Sequence, residues 1–430
     1  MLIEDRGPGF QGKASLHGWM IWGTAALFYL YEFFVRVAPS AMEPELQSHF
    51  GLSAAALGAA AGTYYLVYSP MQLISGTIID RFGVKQVLVF SALICTSGAF
   101  LEIIGSSSFF LVAARFAQGF GSAFAFVGTM YIAAEWFPRS MLARLSGLTT
   151  SLGMAGAIIG NAGIARMVET LGWQSALVGA GFVGIAITAL IVFVIPSRPP
   201  AGTDVPHPYK PNVLRALRIV YSNPQSWYLG IIGAALYMPL SILGALWGAE
   251  YVSAITGASK LEATGAVSMM YVGWLVGGPL AGFASDKLGI RRPILLYASA
   301  ATVVVTFVIA VIPNMSLPVA YLLLLALGLA SCSQVICFAT VVEHNPHTVT
   351  GTALASTNMI IMLAGGIAEW AFGLVLDLVG GSGDTGQYSA QAYHYAILML
   401  PAISLIGLAA ATMVKEAKET VGVQEAAAPA

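Results

Sequence analysis

GTIIDRFGVK occupies residues 76–85 and GFASDKLGIR residues 282–291 of a 430-residue chain. Gly76, Asp80, Arg81, Gly83 and Lys85 of the first match Gly282, Asp286, Lys287, Gly289 and Arg291 of the second, at an offset of 206. Each stretch closes a long apolar run, in a chain with only 9% charged residues. A second pair, EWFP at 135–138 and EHNP at 343–346, recurs at an offset of 208. Two independent markers that agree to within two residues indicate an internal duplication.

The apolar content is 57%, above the ~45–50% of a soluble domain. The apolar stretches are continuous and mostly about 20 residues or longer, which suits spanning helices rather than the ~10-residue alternating segments of a barrel. Twelve spans are expected near 17–38, 54–79, 86–105, 108–135, 141–166, 173–195, 226–250, 262–284, 293–313, 317–342, 349–377 and 392–414. With the N-terminus inside, 15 of the 19 Lys and Arg fall on the cytoplasmic side, and the opposite loops hold Arg166 and Lys260. This asymmetry is the positive-inside pattern and places both termini in the cytoplasm. The first span contains Glu32 and Arg36, so it is expected to be retained rather than cleaved as a signal peptide.

The expected fold is an all-α integral membrane protein of two pseudo-symmetric six-helix bundles. Residues 1–16 form a cytoplasmic N-terminus, 17–195 the first bundle, 196–225 a central loop, 226–414 the second bundle and 415–430 a cytoplasmic tail. The central loop carries five prolines between Ser197 and Arg218; its basic second part can form a short surface helix, but it is too small for an enzymatic domain. A net charge of −1 without a basic tract gives no footprint for nucleic acid. Cys95, Cys332 and Cys337 fall within spans and read as packing residues. No Ser/His/Asp constellation stands out, and His344 and His347 share a turn without further ligands, so neither an enzyme, a metal nor a cofactor is expected.

With its loop motif in two copies, and with Arg115 and Gly119 of ARFAQGFGSA matching an R-x-x-x-G pattern on the fourth span, the chain resembles the major facilitator superfamily over residues 17–414. The resemblance implies a substrate cavity between the bundles, rocking between two access states, and secondary transport. It also implies that Asp80 and Arg81 belong to a cytoplasmic latch made when the cavity faces outward, with the copy around Asp286 serving the other half. Gly76 suits close helix approach, and Asp80 can meet a helix N-terminus. A plain structural reading of the loops, as tight basic turns, stands beside this one.

Ionisable groups within spans cost ~2.5–3.5 kcal/mol on insertion scales, so they face partners or cavities. Arg115 reads as an anion or coupling site, or else as a structural salt bridge. Glu32 and Arg36, at i and i+4, share one face and can pair. Glu32 can balance Arg115 or carry a proton, Arg36 can line the cavity or snorkel outward, and Glu369 is a second proton site or a packed residue. Tyr64, Tyr68, Tyr237, Tyr271, Gln334 and Asn358 complete the candidate lining, with Tyr29, Tyr31, Tyr65 and Trp274 nearby. Aromatic residues in such spans more often pack than touch substrate.

The fifth span reads SLGMAGAIIGNAG at 151–163 and lacks the proline of drug antiporters. With ARFAQGFGSA it is similar to organic-anion carriers and lysosomal-type dipeptide transporters. The expected substrate is a small carboxylated metabolite, an amino-acid-like solute or a dipeptide, with proton coupling open. Siderophore or sugar-phosphate transport and drug export are alternatives, and a non-transporting receptor or assembly protein is the reading from a different class. A monomer in a bacterial inner membrane is expected, surrounded by lipid.

Overall fold

The computed structural model describes residues 15–138, 141–197, 213–312, 314–380 and 388–416; of Ala143, Val213, Asp286 and His347 only the backbone is described. Among the described residues eleven helices are long and apolar enough to cross a membrane, and Ala54–Phe82, taken with the short helix bent from its start, brings them to twelve: Leu16–Ala41, Ala54–Phe82, Val84–Ile104, Ser108–Trp136, Leu142–Leu171, Trp173–Val194, Pro224–Thr256, Lys260–Leu288, Arg292–Val311, Leu317–Glu343, Thr350–Gly380 and Ala390–Met413. They are called spans 1 to 12 below. The chain is thus a multi-spanning, all-helical membrane protein. Side-chain caps start several spans: Ser15, Ser53, Ser107, Asn223 and Ser389 accept from first-turn amides, and Ser259 with Glu262 forms a reciprocal capping box.

The helices overrun several expected boundaries. Span 2 continues to Phe82 and span 8 to Leu288, so Asp80, Arg81 and Lys287 sit on last helical turns. Gly83 and Gly289 then take φ +85° and +64°, the left-handed side of the map where a Cβ is strained. Span 5 runs to Leu171, which puts Arg166 on the helix rather than in a loop. A helix at Glu43–Phe50, absent from the sequence expectation, meets span 2 at 109°. Helix Val213–Ser222 occupies the basic part of the central loop.

The packing repeats between halves. Spans 1 and 5, 2 and 4, and 3 and 6 pair in the first half; spans 7 and 11, 8 and 10, and 9 and 12 pair in the second. Gly119 brings span 4 against the backbone of span 2, where a Cβ would stand 2.3 Å from Tyr64 O; Gly328 brings span 10 against span 8 with the same 2.3 Å to Met270 O. In span 5, Gly153, Gly156 and Gly160 press on span 1, whereas Gly163 meets only Ile159.

Spans 2 and 11, and spans 5 and 8, join the halves along a seam. The basic end is the end holding the 80–85 and 286–292 loops. At the opposite end Gly62 touches Gly366 and Gly373 touches Ala54, backbone to backbone. Ala54 N and Ala55 N donate to the Asp377 carboxylate at 3.0 and 2.8 Å, Tyr388 OH donates to Ala54's neighbour Asp377 in a short bond, and Lys260 Nζ bridges to Glu45 at 2.7 Å. Toward the basic end, Gly23, Gly76, Gly147, Gly278, Gly282 and Gly351 have nothing within 4 Å of where a Cβ would stand. The described contacts that fasten the seam thus lie at the end remote from the basic loops.

Candidate functional site

Span 1 is helical to Val37 and tightens into a 3-10 turn at Ala38–Ala41. Pro39 has no N–H to offer Val35 O, and the i to i+3 pattern that follows withdraws a donor from Arg36 O. Arg115 of span 4 fills both places: Nη1 donates to Val35 O and Nη2 to Arg36 O, each at 3.2 Å. Nη1 also donates to Gln118 Oε1 at 2.7 Å, and Gln118 Nε2 donates to Glu102 Oε1 at 3.1 Å. Arg115, 2% exposed, is thus bound to the backbone of span 1 and linked through an amide to a buried carboxylate.

Arg36 points to the seam. Nη2 donates to Glu32 Oε1 and Oε2 at 3.0 and 2.9 Å, Nε to Tyr64 OH at 3.1 Å, and Nη1 to Tyr237 OH at 3.3 Å. Tyr64 OH donates to Glu32 Oε2 at 2.8 Å. The guanidinium also lies 4.1 Å from the Phe33 ring centre and 5.1 Å from that of Tyr68. Glu32, Arg36, Tyr64 and Tyr68 come from the first half and Tyr237 from the second, so one buried cation is bonded to both halves.

Span 7 breaks where span 1 does in the repeat. Its helix passes Pro239 into a π-helical stretch, Leu240–Trp247, which packs on the 3-10 turn of span 1. Asn161 Nδ2 of span 5 donates to Gly244 O at 3.3 Å across the seam, and the Tyr271 hydroxyl abuts Gly244. Glu369 of span 11 accepts from Ser241 Oγ at 3.2 Å through Oε1; its Oε2 and the nearby Tyr65 hydroxyl are buried without a hydrogen-bond partner. Gln334 is buried in a 3-10 turn of span 10 and Asn358 is half-buried on span 11. The hydrogen bonds of the Arg36 cluster run through neither.

The family model of the Major Facilitator Superfamily matches residues 22–369. The chain belongs to this superfamily. It is accordingly classed with secondary transporters rather than enzymes. A probable sulfoacetate transporter, SauU of Cupriavidus necator, is 29% identical over 180 residues, an alignment spanning 42% of each chain. The membrane sensor protein UhpC of Escherichia coli K12 is 24% identical over 405 residues, 89% of this chain and 90% of its own. A bacterial homolog of the human lysosomal transporter Spinster, in an inward-facing and unoccupied conformation, superposes with a TM-score of 0.76 at 16% identity, covering 94% of this chain and 98% of that one. That likeness is one of fold.

In this superfamily member the two repeat markers are one structure in the second half. Arg291 donates to Glu343 Oε1 through Nε at 3.1 Å and Nη2 at 2.9 Å, and to Ser285 Oγ through Nη1 at 2.8 Å. The amides of Arg291 and Arg292 donate to Glu416 Oε1. In the first half Asp80 is half-buried near Tyr131 and Glu135, while Arg81 is exposed beside the Phe82 ring. Lys85 is half-buried, Lys287 is exposed, and the Asp286 side chain lies outside the described residues. Glu102 and Gln118 are buried site residues that the sequence reading missed; Glu102 was legible as an acid inside the third apolar stretch. Asp377 and Tyr388 were not, because the span 2 amides that they meet come from the other half, and Glu43 was not, because its helix was absent from the sequence expectation.

Proposed function

We propose that this chain is a proton-linked, alternating-access carrier of small organic anions in a bacterial inner membrane, with the basic end in the cytoplasm. The observation that carries this reading is the Arg36 guanidinium bonded to Glu32 in one half and to Tyr237 in the other. A carboxylate or sulfonate matches the guanidinium fork that Glu32 now occupies. For the anion to take that place, Glu32 must leave it, and a carboxylate displaced within a buried site is stabilised by taking up a proton. Anion and proton then bind together and cross together. We read the described state as the cytoplasm-facing one, a reading supported by Asp377 and Lys260, which fasten the end remote from the basic loops.

In this reading Arg115 supports the bend of span 1 rather than meeting substrate, since its guanidinium is spent on two carbonyls and Gln118. Asp80, Arg81 and the copy at Asp286 belong to the opposite latch, which engages when the basic end closes. The SauU resemblance supports a doubly anionic C2-type acid as first substrate to try. The UhpC resemblance keeps a sensor as second reading, because a sensor needs the same ligand site without net flux. Purified protein in liposomes, given labelled sulfoacetate and other small carboxylates under an inward proton gradient, tests both. Gradient-driven accumulation lost in Arg36→Lys supports the carrier; ligand-induced stabilisation without flux supports the sensor; neither sinks the anion site.

A further inference from the structure

At the end of the seam remote from the basic loops lies an open-sided cavity of about 230 Å³. Glu43 and Pro44 line it from the first half, and Glu250, Ser253, Tyr388 and Tyr393 from the second. Glu43 is 1% exposed; Gln47 Nε2 binds its Oε1 in a short contact, while Oε2 is buried with no hydrogen-bond partner. Ser253 Oγ is likewise buried without a partner. Among the described residues the cation paired with carboxylates here is Lys260, held by Glu45 at 2.7 Å, with Glu250 at 3.7 Å. Asp377 beside them is occupied by the first-turn amides of span 2 and by Tyr388 OH. Glu45 and Glu250 therefore share the Lys260 ammonium, while Glu43, the most buried of the three carboxylates, has no ion pair among the described residues.

We propose that this cavity is a binding site for a small monovalent cation, an alkali metal ion or a primary ammonium group, whose occupancy holds the two halves together at this end. Closing the seam takes Glu43 out of water and brings it toward Glu250, which is costly unless positive charge enters with them. A cavity larger than a bare ion leaves room for its remaining waters or for an organic stem. The Tyr388 and Tyr393 rings, 6.5 Å apart and edge to face, supply the aromatic surface that an ammonium group uses. The site is formed by both halves, so a cation bound there favours the closed seam by its differential affinity for that state. This inference stands apart from the Arg36 reading, which concerns the anion.

The test is equilibrium binding of ²²Na⁺ to the purified full-length protein, with K⁺ and methylammonium as competitors and N-methylglucamine chloride holding ionic strength constant. Saturable binding displaced by either competitor is expected, together with a higher thermal midpoint in Na⁺ than in N-methylglucamine. Tighter displacement by methylammonium than by K⁺ assigns the site to amines, and the reverse order to alkali ions. Glu43→Gln should weaken binding at least tenfold and, without cation, melt no lower than the unmodified protein, because it removes a charge that lacks a partner. Glu250→Gln, at a less buried position, is the second variant and should also weaken binding. Absence of saturable binding, or binding that survives in both variants, overturns the proposal. So does a thermal midpoint that follows pH but is indifferent to the cation, which assigns the missing charge to a proton.

Discussion

Arg36 and Arg115 are both guanidinium groups inside apolar helices, yet their surroundings ask different things of them. Arg115 satisfies two carbonyls at the Pro39 bend, and Arg115→Ala leaves these and Gln118 without their donor. A loss of about 3–5 kcal/mol is expected from uncovering such a buried network, seen as a thermal midpoint lowered with or without substrate. Arg36→Lys keeps a charge but gives up the planar fork; folded protein with anion-induced stabilisation reduced at least tenfold in apparent affinity is expected, read by thermal shift. Glu32→Gln leaves Arg36 without its carboxylate and removes the group proposed to take the proton. Anion binding in this variant should be at least as tight as in the parent and indifferent to pH, while gradient-driven accumulation stops and anion exchange continues in liposomes. In the parent the sign is fixed by competition: raising pH keeps Glu32 ionised on Arg36, so anion affinity falls. The pairing of Glu32 with Arg36 was legible from their i, i+4 spacing. Which arginine faces the seam was not, although Pro39, four residues after Val35, marked where orphaned carbonyls would need a donor.

At the scale of helices, close approach decides where the halves are rigid. A Cβ at Gly119 would meet Tyr64 O at 2.3 Å, and the offending atom is backbone that cannot swing away. Gly119→Ala and its repeat counterpart Gly328→Ala should each cost ~1–3 kcal/mol through overpacking, measured as lowered thermal midpoints, whereas Gly76→Ala and Gly282→Ala should leave the described state nearly unchanged. The seam itself rests on a carboxylate at a helix start, since Asp377 accepts from the first-turn amides of span 2. Such a contact joins hydrogen bonding to the favourable end of the helix dipole. Asp377→Asn should loosen it and raise, several-fold, the rate at which a cysteine placed at buried Ser241 reacts with an impermeant maleimide added on the side remote from the basic loops. An unchanged rate would show that the cap does not hold the seam. The sequence showed Gly119 through its R-x-x-x-G spacing, and GTIIDRFGVK through its repeat. It gave no sign of the Glu43–Phe50 helix or the π-helical stretch of span 7, whose geometry follows from packing on span 1.

At the scale of the molecule, the Lys260 ammonium and the Glu45 carboxylate join the halves at 2.7 Å. A zero-length carbodiimide should couple them, giving a peptide that links residues 45 and 260, and the coupled protein should bind anion from the basic side yet carry none across. Flux that persists in fully coupled protein would separate this end of the seam from the transport cycle.

Twelve apolar stretches and two markers at offsets of 206 and 208 determined the membrane class and the duplication, and the distribution of Lys and Arg set the expected topology. These are properties of composition and order along the chain, which the bilayer reads directly. Tertiary structure decided which face of each helix meets the other half. That choice turns on a few backbone approaches at glycines and on orphaned carbonyls at one proline, and it made Arg36 the group at the seam, Arg115 its support, and Glu43 a buried carboxylate with an oxygen still unmatched.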